Sequence, residues 1–367
     1  MNLFVDFKKK TDPIILISVL FLSIVSVLMI GSTHISTGFI ARDTIIQTTS
    51  FLIGVLISIF ISRYHYSTFK GHSTLLYIVS VIFLLTVYIP GLGVVQYGSR
   101  AWITLGFTTI QPSEFVKILF ILIMAEYLEK NRDQLYNFKG LIKAVIYAAP
   151  IILIVLKEDL GSALVFSSIW LFMIFFSGVD LKAIGKFFAL VFAFVPVAYL
   201  FMADYQKDRI EAFLHPENLQ LPGNYQVFQG KVAMGSGGLL GKGLFNGTQK
   251  ELDFIPVQSS DFIFSVLVEE LGFIGGLVVI SVYTVLLIRM AQIAKGALDF
   301  YGSLVIIGII GMFSFQIFEN IAMNMGIMPV TGLPLPILSY GGTSMLTSII
   351  AIGIVLNISS RSQGIKF

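Results

Sequence analysis

Long apolar runs separated by short polar segments make up most of the chain. Ten of these runs approach the roughly 20 residues that an α-helix needs to cross a bilayer. Their bounds are Pro13–Ile30, Thr44–Ile61, Ser73–Ile89, Ser113–Leu128, Leu141–Leu156, Leu160–Gly178, Ala183–Met202, Phe262–Ile288, Phe300–Asn324 and Ser339–Ile358. The pattern predicts an all-α polytopic membrane protein with about ten transmembrane helices.

One polar segment is much longer than the others. Residues 203–261 lie between the seventh and eighth predicted spans, and no other stretch of comparable size has the composition of a soluble protein. We therefore expect a single integral-membrane domain, residues 1–367, with one large loop at one face of the membrane.

Composition excludes several classes of protein. Hydrophobic residues make up 56% of the chain and charged residues 12%, whereas soluble domains carry about 25% charged residues. The chain has no cysteine, which excludes disulfides and thiolate chemistry. Its four histidines are scattered, so the sequence shows no histidine metal site. We expect the protein to reside in the membrane and to bind no nucleic acid.

Basic residues fall mostly on one side of the predicted membrane. With the N-terminus inside, 15 basic residues lie in inside segments and 3 in short outside loops. The inside residues are Lys8, Lys9, Lys10, Arg63, Lys70, Lys130, Arg132, Lys139, Lys143, Lys182, Lys186, Arg289, Lys295, Arg361 and Lys366, and the outside residues are Arg42, Arg100 and Lys157. Because cytoplasmic loops carry the excess of Lys and Arg, we predict cytoplasmic N- and C-termini, an extracytoplasmic loop at 203–261, and an uncleaved first helix.

Asp261 is the carboxylate around which the predicted site is organised. It lies where the long polar loop meets the eighth span, so it faces water at the lip of a membrane helix. A helix N-cap is the structural alternative for such a residue. Glu269 follows eight residues later, about two helical turns down the same face. A buried glutamate needs a partner, and Lys117 is a candidate.

Charged residues near the fourth and sixth spans form a second group of candidates. Glu114 and Lys117 are three residues apart and share a helical face. They form either a structural lock between helices or the polar wall of a substrate cavity. Arg100, just outside, is suited to bind a phosphate or carboxylate. Asp159 either caps the sixth span or serves as a second carboxylate that holds a metal or orients a sugar.

The long loop and the C-terminal region supply further polar candidates. Arg209 and the glycine-rich segment 235–247, with Lys242, have the composition of a pyrophosphate cradle, although such a segment is more often only a loop. Glu319 and Asn320, together with Asn324, are spaced to line one helix face. The prolines that follow predict broken backbone that lines a cavity.

Five stretches together resemble the SEDS family (shape, elongation, division and sporulation), and the resemblance covers essentially the whole chain. The stretches are RAWITLGFTTIQPSEFVK, DLGSALVF, YQVFQGKVAMGSGGLLGKGLFNGTQ, DFIFSVLVEELGFIG and NMGIMPVTGLPLPILSYGGTS. Within the family, GKGLFNGTQ and GIMPVTGLPLPILSYGG are more similar to the elongation members than to the division members. The chain departs from the family at residues 257–260, which lack the usual histidine, and at Lys157 and Glu158, which replace Gln-Pro.

The resemblance implies a peptidoglycan glycosyltransferase that polymerises lipid II, the undecaprenyl-diphosphate-linked disaccharide pentapeptide, for cell-wall elongation and cell shape. It places the family's essential aspartate on Asp261, its paired Glu and Lys on Glu114 and Lys117, and its outer-turn aspartate on Asp159. It also implies the bacterial cytoplasmic membrane and a class B penicillin-binding protein as partner. A divalent cation, Mg²⁺ or Mn²⁺, is a further expectation for the diphosphate.

Two other functions fit the same features. A lipid II flippase could use the same cavity and a groove for the lipid tail, and without the resemblance a transporter would be the first interpretation. A non-catalytic scaffold for the transpeptidase is the third. A flippase needs polar groups through the full depth of the membrane, whereas the predicted reactive groups gather towards the outer side. Glu114, Lys117 and Glu269 keep this alternative open, because the sequence does not fix their depth.

Overall fold

The structure is a computed structural model that describes residues 11–34, 41–96, 99–104, 106, 109–200, 202–251 and 254–362. Its α-helices, in chain order, are α1 Pro13–Thr33, α2 Arg42–Ser62, α3 Ser73–Leu85, α4 Pro112–Lys130, α5 Phe138–Glu158, α6 Leu160–Phe176, α7 Leu181–Leu200, α8 Asp204–Leu214, α9 Asn224–Gly237, α10 Thr248–Glu251, α11 Ile263–Lys295, α12 Phe300–Asn324 and α13 Gly342–Ser362. The basic N-terminal residues used for the orientation lie outside the described residues.

Each of the ten predicted spans coincides with a long helix, with ends that agree to within a few residues except at the C-terminal end of α11. The agreement arises because each apolar run is long enough to form a helix that satisfies its own backbone in lipid. Within the described part of the chain, six helices are long and apolar enough to cross a membrane: α1, α2, α5, α11, α12 and α13. The polytopic membrane fold is therefore confirmed, and the number of ten spans stays a prediction.

The eighth predicted span is broken. Helical dihedrals in α11 are interrupted at Gly272, which has φ 71° and ψ −175°. A side chain on Gly272 would place its Cβ 2.3 Å from the backbone nitrogen of Gly241, so glycine is required for both the conformation and the close approach. The sequence predicted one continuous helix because its hydrophobicity does not change at this point.

A small β-sheet precedes α4 and was not predicted. Strands β1 Gly93–Gln96, β2 Ser99–Thr104 and β3 Thr109–Ile110 form an antiparallel sheet in the order β1-β2-β3. Val94 pairs with Trp102, and Ile103 pairs with Ile110. The predicted long loop also has its own structure, because α8, α9 and α10 all lie within residues 203–261.

The chain forms two compact units. Unit 1 comprises the described residues of Met1–Tyr64, Arg209–Ile293 and Phe313–Phe367, and unit 2 comprises those of His65–Asp208 and Ala294–Met312. The predicted single domain therefore stays a prediction. The candidate residues in unit 1 are Asp261, Arg209, Lys242, Glu269, Glu319 and Asn320, and those in unit 2 are Arg100, Glu114, Lys117 and Asp159.

Within unit 1, helices α2 and α13 pack closely. A Cβ on Gly54 would lie 2.9 Å from Ile349 Cβ, so the absence of a side chain lets the two helices approach. At the C-terminal end of α2, the Asn357 amide nitrogen donates to the carbonyl oxygens of Ile61 and Tyr64, at 2.9 Å each. A residue from α13 thus caps the end of α2.

Candidate functional site

Asp261 lies in the turn that leads directly into α11, two residues before the helix begins, and its side chain is partly exposed. If Gly332 carried a side chain, its Cβ would lie 3.5 Å from Asp261 Oδ2. Gly332 also has φ +75°, a conformation that favours glycine. The backbone of residue 332 therefore passes close to the carboxylate without covering it with a side chain.

Two asparagines of α12 hold the backbone of Asp261. The Asn320 and Asn324 amide nitrogens donate to the Asp261 carbonyl oxygen at 3.0 and 2.9 Å. Asn324 Oδ1 also accepts from the Ser265 amide at 3.2 Å, which caps the first turn of α11. Both asparagines are fully buried. Asn320 and Asn324 therefore lie on one face of α12, as predicted, and together they hold the turn at Asp261.

Arg209 and Glu319 are linked through Thr331. Arg209 Nη1 donates to the Thr331 carbonyl oxygen at 3.1 Å, and the Thr331 hydroxyl donates to a Glu319 carboxylate oxygen. Thr331 precedes Gly332, which lies beside the Asp261 carboxylate. The structure thus brings four of the predicted site residues, Asp261, Arg209, Glu319 and Asn320, into one hydrogen-bonded region of unit 1.

A second cation accompanies Arg209. Lys231, on α9, and Arg209 both line a cavity of about 30 Å³ between α8, α9 and the chain around Gly326. Sequence reasoning missed Lys231 because nothing in the local pattern distinguishes it from other exposed lysines. Two cations on one concave surface are suited to an anionic group such as a phosphate.

Lys242 is not a free cation of a phosphate cradle, contrary to the expectation for the glycine-rich segment. Its Nζ lies 2.6 Å from Glu269 Oε1 and 2.7 Å from Thr248 Oγ1. Glu269 is fully buried and pairs with Lys242, so the predicted partner Lys117 is wrong. The prediction that Glu269 and Asp261 lie on one face of the same helix is wrong as well, because α11 begins only at Ile263.

Glu270 forms a second buried ion pair at the same break in α11. Lys250 lies against Glu270 Oε1, and both side chains are almost completely buried. Glu270 Oε1 also accepts from Ser32 Oγ at 2.6 Å, and Oε2 accepts from the Phe245 amide at 3.0 Å. The two glutamates together fasten residues 242–251 to the broken helix.

The glycines of this segment serve close packing. A Cβ on Gly241 would lie 2.1 Å from the Glu270 carbonyl oxygen, and one on Gly237 would lie 2.2 Å from the Val268 carbonyl oxygen. The segment therefore docks against α11 backbone to backbone. Of the two interpretations of the glycine-rich stretch, the structural one accounts for these contacts.

We expect Gly241→Ala to lower the free energy of unfolding by about 2–5 kcal/mol, the sum of overpacking and of a left-handed conformation that alanine disfavours. The measurement is thermal unfolding of the purified protein in detergent. The matched control is Gly235→Ala in the same segment, where a Cβ would meet no atom within 4 Å. Equal stability of the two variants would contradict the packing role.

In unit 2, Glu114 and Lys117 form the predicted pair. Lys117 Nζ lies 2.7 Å from Glu114 Oε1 across one turn of α4, with side chains 1% and 4% exposed. Such burial makes the pair costly to break, because removing one partner leaves an uncompensated charge. This ion pair is formed within α4, whereas the expected structural lock was one between helices, and the role of the pair as a cavity wall stays a prediction.

Asp159 caps α6, as one of its two interpretations expected. Its Oδ1 accepts from the Ser162 amide at 3.0 Å, and its Oδ2 accepts from Ser162 Oγ at 2.7 Å and from Gln111 Nε2 at 2.9 Å. Asp159 and Arg100 line a cavity of about 20 Å³ in unit 2. Both carboxylate oxygens are used within the protein, which favours the capping role.

Glu158 is a residue that sequence reasoning did not single out. Its carboxylate accepts from Tyr88 Oη at 2.7 Å and from the Arg100 amide at 3.2 Å. Its carbonyl oxygen accepts from Ser99 Oγ at 2.5 Å. Glu158 thus fixes strand β2 to the end of α5, and the change from Gln-Pro to Lys-Glu at 157–158 was its only signal in the sequence.

Across the described ranges, no group of three or more His, Asp or Glu side chains is placed to hold a metal ion. Mg²⁺ is commonly bound by one or two carboxylates together with substrate phosphates. Asp261 could supply one such carboxylate. The divalent cation stays a prediction.

Known proteins resemble this chain over nearly its whole length. The family model described as "Cell cycle protein", named for FtsW, RodA and SpoVE, matches residues 12–364. Stage V sporulation protein E of Bacillus subtilis (strain 168) is 36% identical, over 97% of this chain and 99% of that protein. The peptidoglycan glycosyltransferase MrdB of Escherichia coli (strain K12) is 35% identical, over 97% of this chain and 95% of that protein.

Solved structures share the fold. A chain from a peptidoglycan synthase complex, studied for its coordination of polymerization and crosslinking, has a TM-score of 0.83 at 25% identity, covering 97% of this chain and 99% of that chain. The crystal structure of the rod shape determining protein RodA of Thermus thermophilus has a TM-score of 0.71 at 25% identity, covering 97% and 98%. With this fold, and with a family model that matches almost every residue, the chain belongs to the SEDS family of FtsW, RodA and SpoVE.

Proposed function

We propose that this protein is a RodA-like peptidoglycan glycosyltransferase that polymerises lipid II into glycan strands for cell-wall elongation. The observation that carries the proposal is the arrangement at Asp261. A partly exposed carboxylate follows the long polar loop, and buried asparagines fix its backbone. Relatives named peptidoglycan glycosyltransferase match over the same region.

The proposed reaction is a single inverting displacement. The C4 hydroxyl of an incoming disaccharide attacks the anomeric carbon of the growing strand, and the bond from that carbon to the diphosphate oxygen breaks. The diphosphate leaves with the bonding electron pair. Asp261 takes the hydroxyl proton, because an alcohol is a weak nucleophile until a base removes its proton.

Cations near Asp261 would stabilise the leaving diphosphate. Arg209 is held by the Thr331 carbonyl oxygen, one residue from Gly332, and Lys231 lines the same cavity as Arg209. Charge placed in advance where negative charge develops is an effective form of catalysis. Lys242 is less suited to this role because its charge is already paired with Glu269.

We place the protein in the bacterial cytoplasmic membrane, with both termini in the cytoplasm and residues 203–261 outside. The partner is a class B penicillin-binding protein that crosslinks the new strands. Support for the partner comes from the solved peptidoglycan synthase complex that coordinates polymerization and crosslinking. Mg²⁺ or Mn²⁺ at the diphosphate is part of the proposal.

The test compares polymerisation with transport. The full chain is copurified with its class B penicillin-binding protein and given fluorescent lipid II, first in detergent and then in vesicles. We expect long glycan on gels under both conditions, with no lipid II movement beyond that in protein-free vesicles. Movement of lipid II without polymer would support the flippase. If an intact complex shows neither polymerisation nor transport, the result would support the non-catalytic scaffold.

A further inference from the structure

Residues 335–341 are irregular backbone buried in unit 1. Leu335, Ile337, Leu338 and Ser339 are each at most 2% exposed. Backbone polar groups buried away from water must find partners inside the protein. Three side chains donate to carbonyl oxygens of this segment: Tyr283 Oη to Pro336 at 2.5 Å, Ser26 Oγ to Leu338 at 2.8 Å, and Gln47 Nε2 to Ser339 at 2.9 Å.

Gln47 makes the largest share of these contacts. The side chain is fully buried in the first half of α2. Besides the bond to Ser339, its Nε2 donates to Ser26 Oγ at 3.0 Å and to the Ile337 carbonyl oxygen at 3.5 Å. Its Oε1 accepts from the Gly341 amide at 3.2 Å. One amide thus satisfies both donors and acceptors of the segment.

The segment is also strained. Ile337 has φ +69°, a left-handed conformation that is a marked outlier for a β-branched residue. Such a conformation persists only where the surroundings enforce it, and it is often found next to functional sites. The bond from Tyr283 to the Pro336 carbonyl oxygen holds the peptide group before Ile337, and Gln47 Nε2 donates to the Ile337 carbonyl oxygen in the peptide group after it.

This strained segment in turn holds the turn that carries Asp261. Ser339 Oγ donates to the Ser260 carbonyl oxygen at 2.6 Å and accepts from the Leu335 amide at 2.8 Å. The Tyr340 amide donates to the Ser259 carbonyl oxygen at 2.9 Å. Together with the bonds from Asn320 and Asn324, three consecutive carbonyl groups before and at Asp261 are fixed.

We propose that Gln47 and Ser339 are positioning residues that set the place of the Asp261 carboxylate through residues 335–341. The inference rests on the proposed function for its kinetic effect. The hydrogen bonds of Gln47 stabilise the strained conformation of residues 335–341, and the Ser339 hydroxyl in turn fixes the position of the Ser260 carbonyl oxygen. A displacement of about 1 Å at a reacting group costs roughly a hundredfold in rate, so distant hydrogen bonds of this kind affect the reaction step rather than the binding of lipid.

The kinetic experiment uses Gln47→Leu and Ser339→Ala in the purified complex with lipid II. We expect kcat to fall roughly 10- to 100-fold in each, with KM changed less than about twofold. Ser339→Thr, which keeps the hydroxyl, should retain most of the activity. The matched control is Asn357→Leu, because Asn357 is also a buried amide that donates to two carbonyl oxygens, at the other end of α2. It should lose stability and keep kcat.

A second readout does not need enzyme activity. The chain has no cysteine, so Asp261→Cys introduces a single reporter thiol. We expect Gln47→Leu and Ser339→Ala to change its labelling rate with a water-soluble thiol reagent at least threefold, and Asn357→Leu to leave that rate unchanged.

Two results would overturn the inference. One is an unchanged labelling rate, and the other is a kcat loss that follows thermal stability equally in all variants, including Asn357→Leu. Failure of the proposed function has a different signature, because wild-type protein would then make no glycan while the labelling rates still responded to Gln47.

Discussion

Replacing Asp261 with Asn is expected to reduce glycan polymerisation from lipid II by roughly 10²- to 10⁴-fold, the contribution typical of a general base. Asparagine keeps the size of the side chain and its ability to accept hydrogen bonds, but it cannot take the proton of the attacking hydroxyl. The bonds from Asn320 and Asn324 reach the backbone carbonyl, so the turn should keep its fold. The measurement is glycan length and rate on gels, with the copurified transpeptidase present.

The control for this experiment is Asp43→Asn. Asp43 is also a partly buried carboxylate of unit 1, and it pairs with His34 at 3.0 Å. An asparagine at position 43 can still accept the hydrogen bond that the Tyr340 side chain donates to Asp43, so this variant matches the loss of a carboxylate while the contacts of residues 335–341 are kept. Asp261→Asn with wild-type polymerisation would show that Asp261 is structural. A similar loss in Asp43→Asn would point to a general effect of charge.

Replacing Lys117 with Met is expected to lower the free energy of unfolding by about 3–5 kcal/mol, because it breaks the buried ion pair with Glu114 by removing one of its two charges. Both side chains are at most 4% exposed, and they lie one turn apart on α4. The measurement is thermal or denaturant unfolding in detergent, compared with Lys143→Met on α5. Lys143 is exposed and donates at 3.5 Å to an uncharged amide oxygen, Gln134 Oε1, so its loss leaves no buried charge behind and should change stability much less.

The double variant Glu114→Gln, Lys117→Met separates the two interpretations of the pair. Removing both charges should recover most of the lost stability, since no ion is then left unpaired. If the double variant also polymerises lipid II at the wild-type rate, the ion pair has only a structural role. If stability returns and polymerisation does not, the charges also serve the substrate.

The positions of the long helices were predictable because each depends on a local property, an apolar run of sufficient length. The runs from Phe300 to Asn324 and from Leu160 to Gly178 illustrate this, since their helices begin at the predicted residues. The pair Glu114 and Lys117 was equally accessible, because spacing of three residues places both on one face of a helix.

The partners of other charged residues could not be read in the same way. Lys242 and Glu269 are 27 residues apart, and Gln47 and Ser339 are 292 apart. No periodic pattern connects such positions, and only the folded chain brings them together. For that reason the sequence left Lys242 as a candidate for phosphate, assigned Glu269 to Lys117, and gave no indication of Gln47.

The break at Gly272 shows a related limit. A glycine within an apolar run is compatible with a continuous transmembrane helix, and the residues on both sides have helical conformations. The break becomes necessary only because Gly241 and its neighbours dock against it. Sequence patterns describe what a segment prefers, whereas the break results from contact with Gly241, which lies 31 residues (272 − 241) earlier in the chain.

The bonds of Gln47 to residues 335–341 have a consequence for synthesis of the protein. Gln47 enters the membrane with α2, but its partners at 335–341 are made about 280 residues after the end of that helix, which is a delay of roughly 15–55 s at typical translation rates. During this interval the Gln47 amide can bond Ser26 of α1, but its carbonyl and amide partners at 335–341 do not yet exist, so most of its hydrogen-bonding capacity is unsatisfied in the bilayer. Nascent chains of this protein should therefore depend on an insertase or a membrane chaperone that shields α2 until the last helix has been made.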